Sequence, residues 1–78
     1  MYTVNFVYSD GTIEEYPHID KLKYTQYGVE ETLTNDEILT HEFPLTYIYE
    51  FHLFAKNEKY TIRKTDNINK IKVSKEED

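Results

Sequence analysis

Three histidines, the adjacent glutamates Glu14-Glu15 and Glu30-Glu31, and two serines are the residues here whose types could do chemistry. His18, His41 and His52 are candidate acid–base groups or metal ligands. They stand 23 and 11 residues apart, which fits no compact ligand spacing. His52 sits among apolar residues of a predicted strand and reads as a half-buried histidine with one hydrogen-bond partner. His41, near Glu37 and Glu42, reads as half of a surface pair. Glu14-Glu15 and Glu30-Glu31 could pair as general acid and base, but neighbours on a strand point to opposite faces and cannot share a substrate atom. Ser9 precedes Asp10-Gly11, where a turn hydrogen bond accounts for it. Cysteine is absent, so there is no thiolate ligand, nucleophile or disulfide. Gly11 and Gly28 stand alone, so no glycine-rich phosphate loop exists. No catalytic residue, cofactor or metal is assigned, and a non-catalytic protein is expected.

The elements that must position these residues read mainly as strands. Tyr2, Val4, Phe6 and Tyr8 alternate with Thr3, Asn5 and Val7, the period of a half-buried strand. Asp10-Gly11 marks a hairpin turn. The return strand, from Thr12 to Tyr16, is expected to end at Pro17, which lacks a ladder donor; the register across the turn stays open. Ile19, Leu22 and Tyr24 fit neither period. Thr34 and Glu37 have the spacing of a capping box for a short helix over 35–42, stopped by Pro44; a strand from Val29 to Leu33 competes with it. Thr46 to Ala55 reads as a central strand with Tyr47, Tyr49, Phe51 and Leu53 on one face. Lys59 to Lys64 and Asn69 to Ser74 complete an expected three-stranded meander. The fold class is therefore α+β, mainly β: a five-stranded antiparallel sheet or small partly open barrel built from an N-terminal hairpin, a short central helix and a C-terminal meander. An all-β small barrel is the alternative. Residues 1–75 are expected to form a single domain, with 76–78 a charged tail.

Composition narrows the class. Seventy-eight residues with 15% aromatics suit one small folded domain. No apolar run approaches a membrane span, and no basic-then-apolar N-terminal segment reads as a secretory signal; a cytoplasmic location is expected. Phe, Tyr, Met, Ile, Asn and Lys total 33 residues, against six of Ala, Gly, Arg and Pro. That skew points to an AT-rich coding sequence, as in a low-GC bacterium or its phages and plasmids.

Charge is unevenly placed. Residues 1–55 carry ten acids against two lysines, residues 56–75 seven bases against two acids, and the tail three acids, for a net −6. The acidic part could present carboxylates to a basic partner and mimic nucleic-acid phosphates. The leading expectation is a small acidic protein-binding module, of the phage or plasmid inhibitor type, acting on a nucleic-acid-processing protein. Its carriers would be Glu14, Glu15, Glu30, Glu31, Asp36 and Glu37, with Tyr24 and Tyr27 as aromatic contacts from the least regular segment. One alternative is a nucleic-acid-binding module in which Arg63, Lys64, Lys70 and Lys72 of a C-terminal hairpin meet phosphates and Tyr60 stacks on bases. Another is a homo-oligomeric structural protein. The simplest alternative is that acidic and basic segments pair on an ordinary surface.

Overall fold

A computed structural model describes residues 1–63 and 65–77. The described residues form six strands and one short helix in the order β1 (Tyr2–Tyr8), β2 (Ile13–Gln26), β3 (Val29–Thr34), α1 (Asp36–Thr40), β4 (Ile48–Ala55), β5 (Lys59–Ile62) and β6 (Ile68–Lys75), with a 3-10 turn over Thr65–Asn67 between the last two. All strands join one antiparallel sheet ordered β5-β4-β2-β1-β6, and β3 also pairs with β2. The class is the mainly β one expected; the sheet has six strands and does not close into a barrel.

The first hairpin follows from its sequence. The N–H of Tyr8 donates to the carbonyl of Thr12 at 2.8 Å and that of Gly11 to Tyr8 at 2.9 Å. Asp10 Oδ1 accepts the Thr12 N–H at 2.9 Å. Gly11 takes φ +90°, open to a residue without Cβ. The loop is thus Ser9-Asp10-Gly11, and Phe6 lies opposite Glu14.

Pro17 does not end the second strand. β2 runs 14 residues and passes the proline through an irregularity: Val4 pairs with Tyr16 but Tyr2 with Ile19, one extra residue on β2. His18 absorbs it at φ +63°. A proline is tolerated at such a bulge, because its missing N–H has no ladder duty there. A second irregularity, between Ile19 and Lys21 against β4, lets Ile19 and Leu22 both face inward. The two together bend β2: its first half pairs with β1 and its second with β3 and β4.

The strand and the helix that compete for residues 29–42 both form, end to end. The Glu37 carboxylate accepts the backbone N–H (3.2 Å) and the hydroxyl (3.1 Å) of Thr34, the reaching-back half of the anticipated capping box. The helix has five residues, three short of the expected span, and Ile38 is its one buried side chain.

Two further expectations need correction. In β4 the pairing slips between Thr25 and Gln26, so Tyr49 is the extra residue of a bulge. Ile48, Phe51 and Leu53 point inward, while Tyr47 and Tyr49 are exposed. The C-terminal meander is also not formed. β4 and β5 make a hairpin, but β6 pairs with β1. β1 offers a seven-residue edge against the four residues of β5. The 3-10 turn carries the chain across, held by the Thr65 hydroxyl on the Ile48 carbonyl and by the Ser9 N–H on the Asn67 carbonyl at 2.8 Å.

The sheet curls around a core of Val4, Phe6, Ile19, Leu22, Phe51 and Leu53, with Ile38 of the helix and other buried side chains completing it. Phe6 of β1 meets Phe51 of β4 edge to face at 5.2 Å, and Tyr16 of β2 meets Tyr60 of β5 at 5.0 Å. In each pair the two strands are not sheet neighbours.

Candidate functional site

The exposed aromatic surface lies where the β2–β3 turn meets the entry to β4. Tyr27 and Gly28 form a two-residue turn, both at positive φ (+53° and +76°), with Gln26 opposite Val29. That is the backbone sense of a tight hairpin turn, in which Asn or Gly usually fills the first place. Tyr47, just before β4, is likewise left-handed at φ +60°. The Gln26 side-chain amide donates to the Thr46 carbonyl at 3.1 Å and ties the two segments together.

Across that tie the Tyr27 and Tyr47 rings stack at 4.9 Å with 29° between their planes. Both residues are 71% exposed, and Tyr49, two residues further along the chain, is 75% exposed; Val29 and Leu45 are open to solvent nearby in the chain. Large aromatic side chains at left-handed positions are uncommon, and such conformations gather at functional segments. Nothing in the turn itself calls for tyrosine.

Glu30 and Glu31 follow on β3. Glu30 lies opposite Thr25 and reaches Lys23 Nζ at 3.5 Å. Glu31 lies opposite Tyr24, on the other face. Tyr24 itself is only 3% exposed. It belongs to the core, packed against Phe51 and Phe43, with its hydroxyl 2.7 Å from His41 Nε2. Burial, with the Glu31 carboxylate beside it, raises its phenol above the ordinary value.

The other predicted carboxylates lie elsewhere. Glu14 faces the inner side of the sheet, where the Tyr8 and Tyr16 hydroxyls both donate to its Oε1, at 2.5 and 3.1 Å. Burial and that carboxylate push the Tyr16 phenol up to about 12. Glu15 lies opposite Asn5 on the outer side. Asp36 accepts the Tyr2 hydroxyl and sits 3.6 Å from Lys75 Nζ; these two hold its carboxyl below the usual range. Glu37 serves Thr34 as described. The six acids therefore fall into three places, at the start of β2, on β3 and on α1, and each adjacent pair on a strand is divided between faces.

The basic set is divided as well. Tyr60 is half-buried against Tyr16, its hydroxyl donating to Glu58 at 2.5 Å. Arg63 follows β5 and reaches Glu50 at 3.4 Å. Lys70 and Lys72 lie on β6, opposite Val7 and Asn5 of β1. No pairing joins β5 to β6 among the described residues, so the expected basic hairpin is not formed. Lys64 lies outside the described residues.

The histidines each meet a different group: His18 Nδ1 meets Glu76 at 3.0 Å, His41 meets Tyr24, and His52 Nε2 meets Glu50 at 2.7 Å. No three metal-ligating side chains converge among the described residues. No helix among them is long and apolar enough to cross a membrane.

Sequence reasoning missed Tyr47 and Tyr49 as exposed residues, placing them with Phe51 and Leu53 on one face of a strand expected to be covered on both sides. The bulge that turns them out carries no glycine or proline to announce it. The stacking of Tyr47 on Tyr27, with Tyr49 exposed two residues on, becomes visible only once β2 and β4 are paired.

Fold and surface together define a small, acidic, mainly β protein with one curled sheet and a concentrated patch of exposed tyrosine. Comparison with known proteins finds no matching family, no matching curated protein and no matching solved structure.

Proposed function

We propose that the chain is a non-catalytic recognition module that binds another protein through the tyrosine surface of Tyr27, Tyr47 and Tyr49. The observation that carries this reading is the stacked, solvent-facing Tyr27–Tyr47 pair, held at two left-handed backbone positions where the fold has no need of a large ring. Tyrosine supplies rigid contact area with few rotors to freeze, which is why it recurs at the energetic centres of interfaces.

Charge supplies the chemistry of the partner. A net charge of −6, with Glu30 beside the patch, favours a basic surface and fast, salt-sensitive encounter. A protein that handles nucleic acid presents such a surface, so an inhibitor of that class remains the finer proposal. Its recognition would be centred on tyrosine with carboxylates at the rim, because the six acids are too divided to act as one phosphate-like array. The nucleic-acid alternative has less support, since Arg63 follows β5 while Lys70 and Lys72 lie on β6, and those two strands share no pairing among the described residues.

The test is retention of lysate proteins from a low-GC bacterium on immobilised wild-type chain and on the Tyr27→Asn/Tyr47→Asn double variant, at two salt concentrations. A partner is expected to be held by the wild type at low salt and to bind the variant about 30-fold more weakly, the scale of about 2 kcal/mol at a tyrosine hot spot. An unchanged set of partners on a variant with native circular dichroism overturns the assignment.

A further inference from the structure

The tyrosine surface leaves a second feature unexplained: an open groove on the inner side of the sheet. One wall is the edge strand β5, through Thr61 and Ile62, with Arg63 just after it; the floor and far wall are Tyr8, Glu14 and Tyr16 of the first hairpin, around a volume of about 380 Å³. A second hollow of about 460 Å³ continues it past Tyr8 and Glu14 toward Asp10 and Asn67.

The edge of β5 has backbone to offer. Among the described residues β5 pairs only with β4. The Ala55 N–H donates to the Glu58 carbonyl at 2.9 Å, which fixes that pair as hydrogen-bonded. Partners on an antiparallel ladder alternate, and the register is unbroken from Phe54–Lys59 to Phe51–Ile62. Tyr60 and Ile62 therefore spend their backbone groups on β4. Lys59 and Thr61 turn theirs outward, to the open edge.

The floor has a charge to offer. Both tyrosine hydroxyls meet Glu14 at Oε1. Oε2 has no hydrogen bond among the described residues, and Glu14 has no ion pair there. The carboxylate is oriented by its two donors, with Oε2 left for a further partner.

We infer that this groove binds an extended peptide segment of a partner, added as a strand to the open edge of β5, with a lysine or arginine of that segment on Glu14. Strand addition takes its affinity from backbone hydrogen bonds and its selectivity from alternate side chains. A strand beside β5 turns every second side chain toward the inner face that Tyr60 and Ile62 share, where Glu14 lines the groove floor and Glu58, bonded to the Tyr60 hydroxyl, is the other carboxylate. A second copy of this chain is the poorer occupant. Antiparallel pairing of two β5 edges about Thr61 sets Lys59 against Arg63, and like charges placed directly opposite are destabilising. This inference does not rest on the tyrosine surface, and the two fail separately.

The probe is a capped hexapeptide, Val-Thr-Lys-Thr-Val-Thr, titrated into isotopically labelled chain and followed by amide NMR. Saturable shifts at Thr61 and Arg63, with slowed exchange of an outward amide of β5, are expected at millimolar peptide. Replacing the lysine by norleucine should weaken binding about three- to fivefold, the scale of one exposed ion pair. Glu14→Gln should do the same to the lysine peptide and nothing more to the norleucine one. A peptide N-methylated along one backbone edge should not bind, which tests the strand without altering the protein, and Tyr27→Asn/Tyr47→Asn should leave the titration unchanged. The inference is overturned if the N-methylated peptide binds equally well, if the shifts map to Tyr27 and Tyr47 instead, if Thr61 shifts with protein concentration alone, or if no shift appears.

Discussion

If the Tyr27–Tyr47 pair serves a partner, removing it should cost the fold almost nothing, and the size of that cost follows from the geometry. Each tyrosine occupies a left-handed backbone well, which costs an L-residue with a large side chain about 1–2 kcal/mol. Asparagine enters that well readily, so each Tyr→Asn change recovers about half of this, or about 0.5–1 kcal/mol. Against it stands the ring stack at 4.9 Å, worth about 0.5–1.5 kcal/mol beyond area burial. A single change recovers one backbone position and loses the whole stack, for a net near zero or about 0.5 kcal/mol destabilising. The double variant recovers both positions and loses the stack only once, for a net of about 0.5 kcal/mol stabilising. The two singles together count the stack twice, so the double-mutant cycle should show a coupling of about 1 kcal/mol. Urea unfolding followed by circular dichroism resolves this, since about 1 kcal/mol moves the midpoint of a chain this size by roughly 0.5–1 M. Losses above about 2 kcal/mol in either single variant would make the rings structural, and a coupling below about 0.3 kcal/mol would mean that they do not stack in solution. Either result removes the ground for reading the pair as a binding surface.

Glu76 sets a pH dependence of known sign. The backbone N–H of His18 at 2.7 Å, the Thr3 hydroxyl at 2.8 Å and the His18 ring lower its pKa from the ordinary 4.5 to about 2. A depressed carboxyl stabilises the fold fully above its unfolded pKa and loses that contribution as pH falls through the folded one. The urea midpoint of the wild type should therefore exceed that of Glu76→Gln above pH 4.5, with the gap closing as the pH falls toward 2. A gap that does not vary with pH would show that the charge is not what holds the tail. Ile38 is fully buried and is the helix's one buried side chain, so Ile38→Ala should cost about 2–5 kcal/mol, read from the same unfolding curves. A loss below about 1 kcal/mol would mean that the helix is not packed on the sheet.

What could be read in advance was local. Alternation in Tyr2–Tyr8, the Asp10-Gly11 turn, the Thr34–Glu37 spacing and the apolar run into Ala55 each place an element from a few neighbouring residues, and each element exists. What could not be read is where the period breaks. Ile19 and Leu22 are both buried only because β2 takes up extra residues near them, with His18 left-handed and no glycine to signal it. The same kind of break before Phe51 moves Tyr49 from the core face to solvent. Pairing partners were equally hidden. The choice of β1 rather than β5 by the last strand turns on how much edge each offers after folding, a quantity no local pattern carries. The site divides along the same line. Tyr27 is legible beside Gly28, whereas Tyr24, three residues earlier, goes to the core because of a bend set further up the strand.

The pairing of β6 with β1 also settles what the uneven charge along the chain becomes in three dimensions. A meander would have gathered the late cations on one hairpin, away from the early acids. Returning to β1 instead lays Lys72 opposite Asn5, whose partner on its other side is Glu15, so a cation and an anion flank one residue on the outer face. The same return brings Lys75 to Asp36, while Arg63 meets Glu50 from the end of β5. Each of these exposed contacts is worth at most about 1 kcal/mol, too little to choose a topology. Their effect is on the surface: part of the polarity visible along the sequence is spent inside the monomer. Glu14 is outside this cancellation, with no ion pair among the described residues and two phenols fixing its orientation. A cation supplied from outside therefore finds a better-defined partner in the groove beside β5 than in the acidic stretch taken as a whole.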